Sequence, residues 1–221
     1  MLRKYHCAGF TFTELLVALT LNALLFAALL SVFVANLGHN RKVVNTNRLN
    51  QQLQTALDVM TNDIRRAGYW ANAHTDVGTG SNNNPFMAAG TDISVNLANN
   101  CILLAYDRNS DGALPAISAA ADDERYGYRL INSTLQGRPP GATFSCTAAA
   151  NQWENLTDPN FVQVSALTFT ITPSTITTGP GSKGILFRDV TISLTGNLVN
   201  DNTVTRTLTQ FVRIRNDKFI P

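Results

Sequence analysis

Gly9-Phe10-Thr11-Phe12-Thr13-Glu14-Leu15-Leu16 opens an apolar run that extends to Leu37 and carries a single carboxylate, near its start. The run consists mostly of Leu, Ala, Val and Phe and exceeds the ~20 residues that a helix needs to cross a ~30 Å hydrocarbon core. A charged side chain in mid-membrane costs roughly 2.5 to 3.5 kcal/mol on insertion scales. We therefore expect Glu14 to have a partner, and a pairing role in assembly would provide one.

The basic residues, the small residue and the apolar run of the N-terminus follow a different order from that of a secretory signal. Arg3 and Lys4 form a short basic head, as in a secretory signal, but no small-x-small cleavage site follows the apolar run. The small residue, Gly9, precedes the run instead. Cleavage after Gly9 would remove only the basic leader and leave the apolar helix on the mature chain, with Phe10 as its first residue.

This arrangement resembles the type III signal of the type IV pilin superfamily. The resemblance implies that a prepilin peptidase cuts after Gly9, that the new N-terminal Phe10 is methylated, and that Glu14 pairs with the terminal amine of a neighbouring subunit. Phe12 and Thr13 depart from the usual Leu-Ile of the family, whereas Gly, Phe and Glu are intact. The alternative is an ordinary single-pass anchor that happens to contain a Glu.

The predicted topology is that of an anchored export product. Arg3 and Lys4 place the leader in the cytoplasm by the positive-inside rule, although Arg41 and Lys42 on the far side act against this. We expect a single pass through the bacterial inner membrane with a periplasmic head, and then a place in a pilus on the cell surface. The expected parts are a leader at 1–9, a helix at 10–67 with 10–38 as transmembrane segment and filament core, and a globular head at 68–221.

Past Gly38 the helical pattern continues as an amphipathic one. Apolar residues recur at spacings of three and four, which predicts one buried helical stripe. Gly68 is the residue type expected just beyond a helix end. We also expect Leu49, Leu53 and Met60 to contact other minor pilins in a filament. The stripe consists of Leu49, Leu53, Ala56, Leu57, Met60, Ile64 and Ala67.

The rest of the chain predicts β-strands. Alternation of apolar residues with Thr, as at Leu167 and Phe169, is typical of strands with one buried face. We expect a hairpin turn around 200–202, a looser connection at 173–184, and a long loop at 71–100 with a short strand near Ile93. The sequence therefore predicts an α+β, pilin-like fold in which the long helix packs on a mainly antiparallel sheet. The five strand candidates are 102–106, 126–131, 162–172, 185–194 and 203–214.

A narrower resemblance covers most of the chain. Arg65-Arg66-Ala67-Gly68-Tyr69, Cys101-Ile102-Leu103-Leu104-Ala105-Tyr106-Asp107 and Tyr126-Gly127-Tyr128-Arg129-Leu130 are similar to the corresponding segments of PilW-type minor pilins. The J-type minor pseudopilins of type II secretion share this plan. The resemblance implies a minor pilin in a tip or priming complex, with a minor pseudopilin as the alternative. It also implies that the partners are prepilin peptidase and, through the N-terminal helix, other minor pilins and the major pilin.

Cysteine usage follows from the predicted leader. Cys7 would be removed with it, which leaves Cys101 and Cys146 in an oxidising compartment. We expect these two to form a disulfide; two buried free thiols are the alternative.

One segment resembles a cation-binding loop. Asp107, Asn109 and Asp111 alternate at positions one, three and five, and Gly112 follows at position six, as at the start of an EF-hand calcium loop. Ser118 stands where that loop needs a Glu, so a complete calcium site would have to recruit Asp122, Asp123 or Glu124. An Asx-rich turn without metal is the other interpretation.

Catalytic patterns are absent from the sequence. His39 and His74 are isolated, and neither a nucleophile elbow nor a phosphate loop occurs, so we do not expect an enzyme. Only 14% of the residues are charged and the net charge is +2, which implies no strong attraction to nucleic acid. A membrane-tethered binding module for DNA or a surface, including cell adhesion, stays open. Its DNA contacts would come from the basic residues Arg206, Arg213, Arg215 and Lys218.

Overall fold

The computed structural model describes residues 9, 11–76, 80–117, 120–149, 152–177 and 183–221. The chain divides into two compact units, one that ends at Asn45 and one that comprises Thr46–Pro221. The predicted long helix, α1, spans Phe12–Arg66. The division falls inside α1, so its last turns belong to the same unit as the strands.

In the first unit, α1 exposes all of its side chains. Every residue from Thr11 to Asn45 is exposed, although most of those before Gly38 are Leu, Ala, Val or Phe. The helix is long and apolar enough to cross a membrane, a criterion of length and composition that a signal sequence would also meet. The segment 36–40, where Gly and Asn lower helix propensity, remains helical.

In the second unit, α1 buries the predicted stripe. All seven of its residues are buried, which confirms the periodicity argument. The prediction that Leu49, Leu53 and Met60 contact other subunits is wrong, because each is 0% exposed within the core of this chain. Their burial leaves nothing of these side chains for a neighbour to touch.

The strands form two antiparallel sheets rather than one. The first sheet has the order β1-β2-β3-β4-β5; in the second, β7 lies between β6 and β8 and also pairs with β9. A core that contains residues of both sheets and of α1 joins them. The strands of the first sheet are β1 Ser94–Val95, β2 Cys101–Ala105, β3 Arg125–Ile131, β4 Thr134–Gly137 and β5 Glu154–Asn155, and those of the second are β6 Val162–Thr177, β7 Gly184–Leu198, β8 Asp201–Arg213 and β9 Lys218–Ile220.

All five predicted strands are present, and the predicted ends differ from the observed ones by no more than five residues. The predicted loose connection at 173–184 is wrong in extent, because β6 continues to Thr177 and β7 begins at Gly184. Pro173 is tolerated because β6 pairs only with β7 among the described strands, so the missing N–H lies on an edge strand. The predicted turn at 200–202 also shortens, since β8 begins at Asp201.

The end of α1 is tied to β2. Gly68, just past the helix, has a φ of +73°, and its N–H donates to the carbonyl of Ala105 at 2.8 Å. The N–H of Asp107 in turn donates to the carbonyl of Tyr69 at 2.9 Å. These two bonds place the loop that follows β2 beside the end of the helix.

Gly68→Ala should destabilise the second unit for two reasons. A Cβ at Gly68 would meet a left-handed backbone penalty of about 1–2 kcal/mol and would lie 2.2 Å from Cε of the buried Met87. Gly90 is a matched control, because its φ is +87° but a Cβ there meets no atom within 4 Å. We expect Gly68→Ala to lower the free energy of unfolding by roughly 1–3 kcal/mol more than Gly90→Ala does, since buried Met87 must repack.

Denaturant unfolding of the full chain in detergent measures this difference. Equal losses in the two variants would contradict the proposed clash with Met87.

Candidate functional site

The start of α1 forms a capping box. Thr11 is the N-cap residue, and its side-chain oxygen accepts the backbone N–H of Glu14 at 3.3 Å. The Glu14 carboxylate reaches back to accept the backbone N–H of Thr11 at 2.8 Å and also its hydroxyl at 2.8 Å. This reciprocal pattern satisfies two of the free N–H groups at a helix start.

The capping box gives Glu14 a partner within its own chain. The Thr-x-x-Glu signature was visible in the sequence, and it supplies a structural role for Glu14 beside the proposed pairing with a neighbour. Gly9 is exposed, as a scissile residue has to be. Phe10, the predicted new N-terminus, lies outside the described residues, as do Arg3, Lys4 and Cys7.

Cys101 and Cys146 form a disulfide, with their Cα atoms 6.0 Å apart. Cys101 begins β2, and Cys146 lies in the loop between β4 and β5. The same loop is held by Arg129, whose guanidinium donates to the carbonyl of Cys146 at 3.0 Å and packs over the ring of buried Trp153. The disulfide therefore closes a loop that the fold also fastens by other contacts.

Alkylation of the denatured full chain before and after reduction should distinguish the disulfide from two buried free thiols. We expect Cys101 and Cys146 to label only after reduction, while Cys7 labels throughout in unprocessed chains and serves as the internal control. The bridge spans a sequence separation of 45. Its reduction should lower the free energy of unfolding by about 4 kcal/mol in the chain-entropy approximation. Labelling of all three cysteines before reduction would contradict the bond.

The loop after β2 is organised around two acidic side chains. Asp107 is 1% exposed, and its Oδ2 accepts the N–H of Ala71 at 2.9 Å and that of Gly112 at 3.0 Å. Asp111 is exposed, and its carboxylate accepts from the Asn109 amide at 2.9 Å. Asn109 Oδ1 accepts the N–H of Asp111, which is the hydrogen bond of an Asx turn.

Glu124 joins this loop from the start of β3. It is 0% exposed, and its Oε1 accepts the backbone N–H groups of Arg108 at 2.5 Å and Asn109 at 3.1 Å. One carboxylate oxygen each from Asp107, Asp111 and Glu124 lie within 4.8 Å of one another. The structure thus brings together the predicted ligands Asp107 and Asp111 with Glu124, one of the candidates for completing the set. The third predicted ligand, Asn109, lies in the same loop, but its amide is engaged by Asp111 on both sides, through Nδ2 and Oδ1.

The other candidates lie elsewhere. Asp123 is buried against arginines: its carboxylate contacts Arg138 at 2.6 Å and Arg125 at 3.2 Å. Asp122 is exposed and is not among the clustered carboxylates of the described residues. Ser118 lies outside the part of the chain that the structure describes.

The environments of Asp123 and Glu124 shift their pKa values in opposite directions. Burial favours the neutral form of Asp123, but hydrogen bonds from Gly141 and Arg138 and the charge of Arg138 outweigh it and lower the pKa. Burial is the largest cause of the raised pKa of Glu124, and the charges of Asp107 and Asp111 act with it. The hydrogen bonds from Asn109 and Arg108 only partly oppose this rise. Glu124 is thus a buried acid beside other acids.

The basic residues considered for DNA contact are partly engaged. Arg213 forms an ion pair with Asp217 at 3.8 Å, and Lys218 forms one with Asp92 at 2.7 Å. Arg206 and Arg215 are exposed. Two of the four charges are thus offset by acidic neighbours, which weakens the case for a nucleic-acid surface.

Comparison with known proteins identifies the family. A model of the family described as prepilin peptidase-dependent protein B (PpdB) matches residues 42–214, which include the amphipathic part of α1 and most of both sheets. Neither a curated protein nor a solved structure matches the chain. Because the match covers well over half of the sequence, this chain belongs to the prepilin peptidase-dependent protein B family, a pilus-associated family of minor pilin-like proteins.

Proposed function

We propose that this protein is a PilW-type minor pilin that enters a type IV pilus through α1 and does no catalysis. The observation that carries the proposal is the exposure of the whole apolar segment from Phe12 to Leu37 in a chain of this family. An apolar helix exposed on every side must be covered by lipid or by other apolar helices. A membrane and then a filament core would provide these two environments in turn.

Processing is the step that links the two environments. The family description implies dependence on prepilin peptidase, and an exposed Gly9 directly before the apolar segment suits a cut at that point. We propose that the leader is cytoplasmic, that the helix first crosses the inner membrane, and that cleavage after Gly9 leaves methylated Phe10 at the start of the mature subunit.

Glu14 would then serve twice. Its carboxylate caps the helix through Thr11, and its negative charge is available to pair with the terminal amine of a neighbouring subunit. The two roles differ in what they require. A capping box works with Gln as well as with Glu, whereas an ion pair needs the charge.

Substitutions at Glu14 separate these roles. Glu14→Gln keeps a side chain able to cap and removes the charge, whereas Glu14→Ala removes both. If pairing drives assembly, both variants should be cleaved normally, and both should fall severalfold below the wild type in sheared filament fractions. Mass spectrometry of the mature N-terminus and immunoblotting of the fractions measure the two steps, with Gly9→Leu as the control that blocks cleavage.

Three outcomes distinguish the alternatives. Normal incorporation of Glu14→Gln with loss of Glu14→Ala would assign Glu14 to capping alone. Normal incorporation of both would remove Glu14 from assembly. A wild-type chain that is cleaved but stays in the membrane fraction would favour a membrane-tethered binding module over a pilin.

We further propose a low-copy position at or near the filament tip. The second unit has long loops between α1 and β1 and between β2 and β3, which are easier to accommodate where one side of a subunit has no neighbour. The stripe on the second half of α1 is buried in the chain's own core, so contacts with other pilins fall to the apolar residues of the first half. Those contacts would hold the subunit in the filament.

Deletion of the gene tests this position. We expect pilus number to fall far more than the abundance of the protein would suggest, because initiation would be lost. Immunogold labelling should concentrate at filament ends, and even labelling along the shafts at a copy number near that of the major subunit would contradict the proposal. A loss of protein secretion with normal pili would assign the chain to the minor pseudopilins of type II secretion.

A further inference from the structure

We propose that Asp107, Asp111 and Glu124 bind a calcium ion that fixes the loop between β2 and β3 to the segment following α1. The site lies wholly within the second unit and does not depend on how the protein assembles. It differs from an EF-hand loop because the third carboxylate comes from Glu124, beside β3, rather than from position twelve.

The main evidence for this site is a pair of buried carboxylate oxygens that have no hydrogen-bond partner among the described residues. Asp107 Oδ2 and Glu124 Oε1 each accept two backbone N–H groups, but Asp107 Oδ1 and Glu124 Oε2 are buried without a hydrogen-bond partner in the described part of the chain. A buried polar atom that loses water and gains no partner is unfavourable, and more so when it is charged. An ionised carboxylate oxygen can only accept, so each of these two atoms needs a hydrogen-bond donor or a cation as its partner.

No arginine or lysine among the described residues forms a salt bridge with any of the three carboxylates. The adjacent Asp123 provides the contrast, since Arg138 and Arg125 both contact its carboxylate. The fold thus neutralises one buried acid with protein cations and leaves its neighbour, Glu124, facing Asp107 and Asp111. A bound metal ion would supply the missing positive charge.

The ligand chemistry favours calcium. Carboxylate oxygens are the ligands of hard divalent cations, and oxygens within 4.8 Å of one another fit around an ion with Ca–O distances of about 2.4 Å. Asp111 is exposed and offers a route of entry from solvent. Calcium accepts irregular geometry and added waters, whereas magnesium demands near-ideal octahedral ligands at shorter distances. A site with two rigid buried ligands and one on an exposed turn suits the larger ion.

The position of the site gives the ion a structural consequence. Asp107 is bonded to Ala71 and Tyr69, which follow the end of α1, and Glu124 directly precedes β3. An ion between Asp107 and Glu124 would therefore join the helix end, the end of β2 and the start of β3.

Calorimetry and thermal unfolding test the site on the full chain in detergent, after metal has been removed with EDTA. We expect a saturable CaCl2 titration with a Kd of roughly 0.1–1 mM, the range of extracellular modules. At 10 mM CaCl2 the unfolding midpoint should rise by roughly 3–10 °C. MgCl2 at the same concentration should give a clearly smaller rise.

Glu124→Gln is the decisive variant, with Asp122→Asn as the matched control. The amide oxygen of Gln can keep the bonds from Arg108 and Asn109, and its NH2 group can donate to Asp107 in place of the ion. We expect this variant to unfold in EDTA at or above the wild-type midpoint and to lose the calcium response. Asp122→Asn, at an exposed acid outside the cluster, should retain the full response.

Four results would overturn the proposal. A flat calcium titration of the wild type would leave only an Asx turn without a bound ion. A full calcium response in Glu124→Gln, or its loss in Asp122→Asn, would place binding elsewhere. An equal response to magnesium would refute the choice of calcium.

Discussion

Burial of one stripe of α1 against two sheets is the interaction on which the second unit depends. Each fully buried Leu or Ile contributes roughly 1.5–3 kcal/mol, and Leu49, Leu53 and Ile64 are 0% exposed. The sheets leave room for the helix: a Cβ on Gly196 of β7 would lie 3.0 Å from Cδ2 of Leu53.

Asp63 adds polar contacts near the end of the helix. Its carboxylate accepts the hydroxyl of Tyr106 at 2.9 Å and that of Tyr128, so α1 is hydrogen-bonded to β3 and to the residue that follows β2.

The same helix end organises the buried acids. Gly68 directs the chain back onto β2, which sets Asp107 beside Ala71. The antiparallel pairing of β2 with β3 continues to Tyr106, whose N–H donates to the carbonyl of Glu124, and so brings Glu124 next to the loop of Asp107. The fold then treats neighbouring carboxylates differently. Asp123 contacts two arginines, whereas the partners of Glu124 within the described residues are two backbone N–H groups, both on one carboxylate oxygen. The charges of Asp107 and Asp111 disfavour a negative charge on Glu124, and the proposed calcium ion would offset this repulsion.

Local pattern was sufficient for most of the fold. Helical spacing identified the buried stripe, and alternation identified five strands, because both signals are set by the periodicity of one buried face. The short strands β4, β5 and β9 have too few residues to show a period, and the separation into two sheets depends on long-range pairing that no local segment encodes. Pro173 favours a strand end at that position, but β6 continues past it to Thr177 because it is an edge strand. Whether a strand lies at an edge depends on tertiary structure, so the local sequence does not show it.

In the candidate sites too, local sequence predicts some features and others depend on tertiary contacts. Spacing was enough to single out Asp107 and Asp111, whereas the choice among Asp122, Asp123 and Glu124 required the burial of each side chain and the positions of Arg125 and Arg138. At the start of α1, the Thr-x-x-Glu signature predicts the capping box, whereas the cost of a charge in a membrane favours an external partner for Glu14. The capping box shows that the N–H of Thr11 already occupies part of the carboxylate's hydrogen-bonding capacity. Hydrogen bonds do not neutralise its charge, so capping fixes the position of the carboxylate at the helix start and is compatible with the proposed pairing with a neighbouring amine.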